Sequence, residues 1–381
     1  MVIYFLYVKR VYRYVNIYGL WRTVCKIAGR TSIPLRLDLI FWFFYKKFGR
    51  KNIIMLGAGH HAFSTLGYFL YRHTKSRICG LFDPNKEAVL KFSRNFGVTH
   101  ILDNGFINKD SFSNIDVVYI ASNHSSHFDY AKFYLERHVD VFIEKPICLS
   151  LSHLAALNEL AQSTPAKIYS GYNRPFAPAI QQLIPTFFKE HGPFTFTASV
   201  IGHVLSSDHW YRNSTEGSRL ISNLGHWIDL FSCFLLKKLE KPKTITLSIV
   251  RADKGKFSDN LQVSVVTDLG DLGVMTFSCR GEPFEGVSEV IVVQRGELIS
   301  KIYDFRSCET WIGSKHSVVR YGKKLCGHKE AALQPFLSYE RPWSDIYFST
   351  NLMLQFEGLF QSGKTELTIE FDKVTNVGFR S

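Results

Sequence analysis

Beyond Arg50 the apolar positions fall into two alternating patterns. Short continuous runs at Asn52–Leu56 (NIIML), Arg77–Phe82 (RICGLF), Val117–Ala121, Val139–Ile143 and Ile168–Ser170 read as buried strands. Segments of helical period lie between them, at His61–Arg72, Ser126–Glu136 and Ser152–Gln162. Strand and helix in strict turn predict a parallel, doubly wound α/β sheet. After Gly171 the rhythm changes. Phe194–Ile201, Thr244–Arg251, Leu261–Thr267, Val274–Cys279, Glu289–Gln294 and Glu297–Tyr303 read as strands with no crossover helices among the last five. Turn residues at Asp268-Leu269-Gly270-Asp271 and Arg295-Gly296 join them as hairpins, so this half predicts an open, mostly antiparallel sheet. Helices are expected at Leu224–Leu236, Glu330–Leu337 and Asp345–Phe360, and a last strand at Thr365–Phe371. The expected division is a leader over 1–50, a first domain over 51–170 and a second over 171–381.

The leader is set apart by charge. Of the net +13, residues 1–50 supply +9, through ten Lys/Arg against the single acid Asp38. The remaining 331 residues are near neutral, which argues against a nucleic-acid groove in the body. The leader also holds thirteen aromatics and two apolar runs, Val2–Val8 and Leu39–Tyr45 (LIFWFFY). Both are too short to span a bilayer, and the first precedes the positive charges, unlike a signal peptide. Two readings stand: a segment packed on the body or on a partner subunit, or a peripheral attachment to an anionic membrane surface. The seven cysteines form no CxxC pair, so neither a disulfide framework nor a thiolate zinc site is signalled.

The first strand runs directly into Gly57-Ala58-Gly59-His60-His61-Ala62 and then a helix. This is the G-x-G-x-x-[GA] turn of a dinucleotide site: Gly57 for the tight turn, Gly59 for close approach of a pyrophosphate, Ala62 for helix–strand packing. The backbone amides of His60 and His61 then open the helix toward the phosphates. Asp83 ends the second strand, 24 residues past Gly59, where a carboxylate meets ribose hydroxyls and disfavours the extra phosphate of NADP. The alternative is a plain turn and helix start at Asp83-Pro84-Asn85. Ser122-Asn123-His124 and Glu144-Lys145-Pro146 follow two further strands at their carboxyl ends, where such sheets bind ligands.

GAGHHA, IASNHSSH (120–127), IEKP (143–146), GYNRPFAP (171–178) and GSRLISNLGHWID (217–229), in this order, resemble the glucose–fructose oxidoreductase/inositol dehydrogenase (Gfo/Idh/MocA) family. The resemblance runs from about residue 51 nearly to the C-terminus and leaves the leader outside. It implies an NAD(P)-binding Rossmann domain followed by an α/β domain with a large open sheet that commonly pairs subunits, and hence a homo-oligomer. It implies oxidation or reduction of a hydroxyl or carbonyl carbon on a sugar, nucleotide sugar or cyclitol. Lys145 matches the family's lysine between nicotinamide and substrate, and His226 its helix histidine. Ala121, Ser122, Asn123, His127 and Glu144 match positions beside the cofactor. Tyr172, Asn173 and Arg174 match the substrate side, where Asn223 is expected as well.

In that frame a histidine exchanges the hydroxyl proton near neutral pH, and a lysine ammonium steadies the developing alkoxide. NAD is the expected cofactor and no metal is required, since His124 and His127 lack a third ligand of recognisable spacing. Two departures matter. Many members carry an acid shortly before the helix histidine, where this chain has Ser222 and Asn223; Asp229 lies one turn beyond. The alternative is therefore a catalytically inactive, NAD-binding scaffold or regulatory subunit of a glycan-synthesis assembly. The sub-branch resembled suggests surface polysaccharide synthesis at the cytoplasmic side of the membrane.

Overall fold

The computed structural model describes residues 2–31, 33–107, 114–253, 259–283 and 286–375; of the helix at its start, the side chains of 2–7 and 10 are not described. The apolar run Val2–Val8 therefore falls almost wholly outside the described side chains.

The chain forms two compact units. The first contains 1–148, 152–171 and 328–343; the second contains 149–151, 172–327 and 344–381. In the first, β1 (Asn52–Leu56), β2 (Arg77–Phe82), β3 (Val117–Ile120), β4 (Asp140–Ile143) and β5 (Ile168–Ser170) make an all-parallel sheet of order 2-1-3-4-5. Its strands are almost fully buried, as continuous apolar runs require when helices cover both faces. Among the connections, α5 (Lys86–Phe96) starts under an Asn85 cap whose side chain accepts from the amides of Glu87 and Ala88. It stops at Gly97, which takes the left-handed conformation. Its apolar residues Val89, Phe92 and Phe96 face the core.

The expected three-part division needs two corrections. First, the leader is not a separate body. It forms α1 (Val2–Tyr18), α2 (Leu20–Ala28) and α3 (Leu37–Trp42), and Cys25, Ala28, Leu37 and Phe41 are fully buried in the same core as Phe63, Phe92 and Phe96. Trp21 meets Phe41 and Phe44 edge-on, and Leu35 donates its amide to Asn95 Oδ1 at 2.9 Å. Second, residues 328–343 return to the first unit. Ala332 and Leu333 enter its core, Tyr119 Oη donates to Ala332 O at 2.8 Å, and Gln334 Nε2 donates to Ser170 O at 2.7 Å. Part of the expected helix there shortens to α10 (His328–Ala332) and a single turn at Gln334–Phe336.

The second unit is built on a nine-stranded sheet. Its strands are β6 (Phe194–Ile201), β7 (Thr244–Arg251), β8 (Leu261–Thr267), β9 (Leu272–Ser278), β10 (Ser288–Arg295), β11 (Leu298–Tyr303), β12 (Ser307–Ile312), β13 (Lys315–Arg320) and β14 (Glu366–Glu370). The order is 13-12-11-10-6-9-8-7-14, and only the β6–β9 pair is parallel. One face packs on α9 (Gly225–Lys237), where Phe194 and Phe196 meet Phe231 and Phe234. The fold class expected from the periodicities, a Rossmann sheet followed by an α/β domain on a large, mostly antiparallel sheet, is what the chain adopts.

Candidate active site

The residues expected to hold the cofactor lie in the first unit, at the carboxyl ends of β1 to β4. Gly57 has φ +105°, and a Cβ there would stand 2.3 Å from the carbonyl oxygen of Ala121. Only glycine fits that conformation and that approach. Gly57 N donates to Phe82 O at 2.7 Å and Ala121 N to Leu56 O at 2.7 Å, so the three strand ends are tied at the turn. At Gly59 no atom lies within 4 Å of where a Cβ would be, which leaves the backbone open to a close neighbour. Phe63 N donates to Gly59 O at 2.9 Å and begins the helix. Its first turn, Ala62–Gly67, is a π-helix that passes into α4 (Tyr68–His73).

Asp83 holds this turn from the side. Its Oδ2 accepts from Ala58 N at 2.7 Å and its Oδ1 from Asn85 N at 2.8 Å. Each oxygen keeps a lone pair for a ribose hydroxyl. The turn and helix-start alternative at Asp83 is thus also satisfied by the geometry: one carboxylate braces both turns. Glycines that admit a backbone-close ligand, a helix start behind them and a carboxylate at the next strand end fit a dinucleotide.

The histidines of the turn do more than supply amides. His61 Nε2 lies 3.0 Å from Glu144 Oε1, joining the glycine turn to the loop that carries Lys145. Burial works against the Glu144 charge, but His61 and then Lys145 beside it hold the carboxyl below its usual value. Its other oxygen accepts from Lys145 N at 3.3 Å. Partial burial, with Lys26 and Arg30 of the leader nearby, pushes His60 down to about 4. Gly29 of the leader is packed so closely that a Cβ there would come within 3.3 Å of His60 Nδ1. Nothing in the spacing of GAGHHA announces the His61–Glu144 pair.

Ser122 and Asn123 open a short 3₁₀ turn, His124–Ser126, before α6 (His127–Leu135). Ser122 Oγ pairs with Ser126 Oγ at 2.7 Å, and Asn123, exposed, donates to Ser125 Oγ at 2.6 Å. His127 is fully buried. Its Nδ1 lies 2.7 Å from Pro146 O and its Nε2 3.2 Å from Ser122 O, so it clamps the two cofactor loops together. Burial keeps its pKa below the ordinary value although both carbonyls favour the cation. His124 meets His127 edge-on at 5.8 Å, and among the described residues no group of three or more His, Cys, Asp or Glu could hold a metal ion.

The residues expected on the substrate side lie in the second unit. A π-turn, Leu220–Leu224, precedes α9, and it carries Asn223 just ahead of His226. Such wide turns present side chains that a regular helix would cover. Asn223 Oδ1 is buried without a hydrogen-bond partner among the described residues, an acceptor available to a hydroxyl. Tyr172 is fully buried; its Oη donates to Met353 Sδ at 3.0 Å, and its ring meets that of His226 edge-on at 6.0 Å. A Cβ at Gly225 would stand 2.9 Å from the same sulfur, so α9 and α11 (Trp343–Ser362) are in close contact beside His226. Asp229 is fully buried one turn further on.

Asn173 and Arg174 are occupied within the protein. Asn173 Nδ2 donates to Cys326 O. Arg174, buried, donates from Nε and Nη2 to Glu289 at 2.8 and 3.2 Å and stacks 4.0 Å over the Trp227 ring, whose Nε1 donates to the same carboxylate at 2.9 Å. The sequence singled out these two as substrate contacts; in the structure Arg174 braces Trp227 of α9, the helix that bears His226, and Asn173 holds the chain at Cys326.

Residues 51–172 match the family described as "Oxidoreductase family, NAD-binding Rossmann fold". Over these residues the chain is similar to the Gfo/Idh/MocA oxidoreductases. An oxidoreductase of Formosa agariphila is 27% identical over 161 residues, which are 42% of this chain and 46% of that relative, so the match spans less than half of its length. The fold is similar to that of the WlbA dehydrogenase from Chromobacterium violaceum in complex with NADH and UDP-GlcNAcA (14% identity, TM-score 0.68, 86% of this chain and 97% of that one). It is similar also to UDP-N-acetylglucosamine 3-dehydrogenase GnnA from Acidithiobacillus ferrooxidans (18%, 0.64, 83% and 98%) and to a levoglucosan dehydrogenase in complex with NADH and levoglucosan (14%, 0.66, 84% and 99%). At these identities the likeness is one of fold. It extends over both units, including the nine-stranded sheet beyond residue 172.

Proposed function

We propose that the chain is an NAD-dependent oxidoreductase acting on a hydroxyl or carbonyl carbon of a sugar or nucleotide sugar. The observation that carries the proposal is the family's Rossmann half with its glycine turn intact and Lys145 following β4 on a loop pinned by His61, Glu144 and His127. Bound nicotinamide supplies the hydride acceptor or donor. Gly57, Gly59 and the helix start behind them hold the diphosphate, and Asp83 takes the ribose and selects NAD over NADP. Ala121, Ser122 and Asn123 flank the cofactor. Lys145 Nζ steadies the alkoxide, and His226 exchanges the hydroxyl proton. Asn223 Oδ1 takes a substrate hydroxyl, and Tyr172 fixes the wall beside His226.

Substrate class rests on the similar folds that hold sugars or nucleotide sugars. A role in surface polysaccharide synthesis on the cytoplasmic side is part of the same reading, as is peripheral membrane contact through residues 1–50; no described helix is long and apolar enough to cross a membrane. Homo-oligomer formation is supported by the outward face of the large sheet, where Val290, Ile299, Tyr303, Val266 and Leu272 share one side by register and are exposed.

The test is Lys145→Ala assayed with a panel of nucleotide sugars. Turnover is expected to fall by at least about 100-fold while NADH affinity stays within about threefold. The second reading, a scaffold, is favoured by Ser222 and Asn223, which leave no carboxylate immediately ahead of His226. A wild-type protein that binds NADH yet turns over none of the panel, in a pathway that Lys145→Ala leaves intact, would establish it.

A further inference from the structure

The leader's second apolar run divides by face. Phe41 is fully buried and Phe44 packs on Trp21 at 5.3 Å, but Leu39, Trp42, Phe43 and Tyr45 point outward, 51%, 67%, 87% and 85% exposed. Single exposed apolar side chains are ordinary; four within seven residues make a surface feature. Next to them runs a groove of about 1130 Å³ between α3, the α4–β2 connection and the C-terminal end of α5. Six cations line it: Arg36, Lys46, Arg50, Lys75, Arg77 and Arg94. The one carboxylate in the lining, Asp38, is taken by Arg36 at 3.1 and 3.0 Å. Among the described residues no ion pair is formed by Arg50, Lys75, Arg77 or Arg94. The Arg77 guanidinium lies 5.6 Å from the Trp42 ring, so the charged groove and the aromatic ridge are contiguous.

The groove opens at the amino end of β2, where Arg77 is the first residue, whereas Asp83 follows its last. Six residues of strand put about 20 Å between the two, so an occupant of the groove leaves the cofactor turn free. A soluble anion would call for the cations alone. Trp, Phe and Tyr side by side at the rim of a basic surface match the chemistry of a lipid interface, with aromatic rings at the head-group boundary and Lys/Arg on the phosphates.

We propose that this ridge and groove dock the protein on an anionic bilayer, Leu39, Trp42, Phe43 and Tyr45 entering the interface while Arg50, Lys75, Arg77 and Arg94 bind lipid phosphates. The proposal rests on the reading of the leader as membrane-facing and assigns that contact to one surface. Each basic side chain near such a surface contributes about 1 kcal/mol, and the attraction weakens as salt shortens the Debye length.

The test is flotation of the full chain with phosphatidylcholine vesicles, with and without about one third phosphatidylglycerol, at roughly 0.1 and 0.5 M salt. Binding is expected only to the anionic vesicles and is expected to fall at high salt. The triple variant Trp42→Ser, Phe43→Ser, Tyr45→Ser and the triple variant Arg50→Glu, Lys75→Glu, Arg94→Glu should each lower the bound fraction by about tenfold or more. Their thermal midpoints should match wild type, because the substituted side chains lie outside the core. Wild type and both variants floating equally would overturn the docking surface while sparing membrane contact by the leader. No flotation of wild type would overturn both. Retention of wild type on inorganic pyrophosphate or single-stranded nucleic acid without flotation would assign the groove to a soluble anion and end the proposal.

Discussion

The candidate residues of the two units are held by different material. In the first unit the decisive geometry belongs to the backbone: a glycine at φ +105°, strand ends tied by amide–carbonyl bonds, and open space over Gly59. In the second it belongs to side chains, with Arg174, Glu289 and Trp227 interlocked beneath α9 and a π-turn presenting Asn223 ahead of His226. A backbone site constrains only where glycine stands and leaves other positions free, which is how GAGHHA holds two histidines. A side-chain site fails when one member changes, yet it can be rebuilt with other residues.

The largest effect is expected at Arg174. Arg174→Met leaves the buried Glu289 carboxylate short of its main partner and should cost about 3–5 kcal/mol in chemical denaturation. Adding Glu289→Leu should recover much of the loss. A stable Arg174→Met protein with only a raised KM would return Arg174 to the substrate. On the backbone side, Gly57→Ala sets a methyl 2.3 Å from the Ala121 carbonyl oxygen at a φ that alanine resists, so NADH affinity by calorimetry should drop by about 100-fold or more. Unchanged affinity would mean the turn does not set cofactor binding.

A smaller change sharpens the picture. Asp83→Asn keeps an acceptor for Ala58 N but loses the charge, and should narrow the preference for NADH over NADPH by about tenfold. An unchanged ratio would limit Asp83 to bracing the turn.

Smallest is the response to acid. His127 is held below its ordinary pKa by burial, and His60 and His73 are pushed down to about 4, by burial first and neighbouring cations second. Between about pH 4 and 6.5 the unfolded chain therefore binds more protons than the folded one, and stability falls as pH falls through that window. Glu144, held low by His61, loses its contribution at still lower pH. The thermal midpoint should drop by a few degrees from pH 7 to 5.5, and less in His127→Gln. Equal drops would remove His127 from the account.

The difference in material also explains what could be read from the sequence. β1 to β5, the glycine turn and Asp83 were legible because buried parallel strands are unbroken apolar runs and the turn needs glycine at fixed offsets. The β12–β13 hairpin was not: β13 is exposed along its whole length, so KHSVVR carries no burial pattern. α8 (Pro178–Lys189) went unread because Pro185 inside it reads as a break. The leader helices were hidden because aromatics fall on their inner and outer faces alike, as Phe41 and Phe43 show. The motifs located Arg174 and Asn173, but their hydrogen-bond partners Glu289 and Cys326 lie more than a hundred residues away and no spacing predicts such pairs.

The return of residues 328–343 to the first unit has a consequence for birth on the ribosome. Ala332 and Leu333 fill the core that Met55, Phe63 and Tyr119 begin, so the nucleotide-binding sheet emerges early but waits through residues 172–327 of the second unit for its last hydrophobic plug. Synthesis at about 5–20 residues per second leaves that surface open for roughly ten seconds or more after β5 appears. The order of translation thus leaves both units open at residue 327, and a nascent chain stalled there would be a client for chaperones.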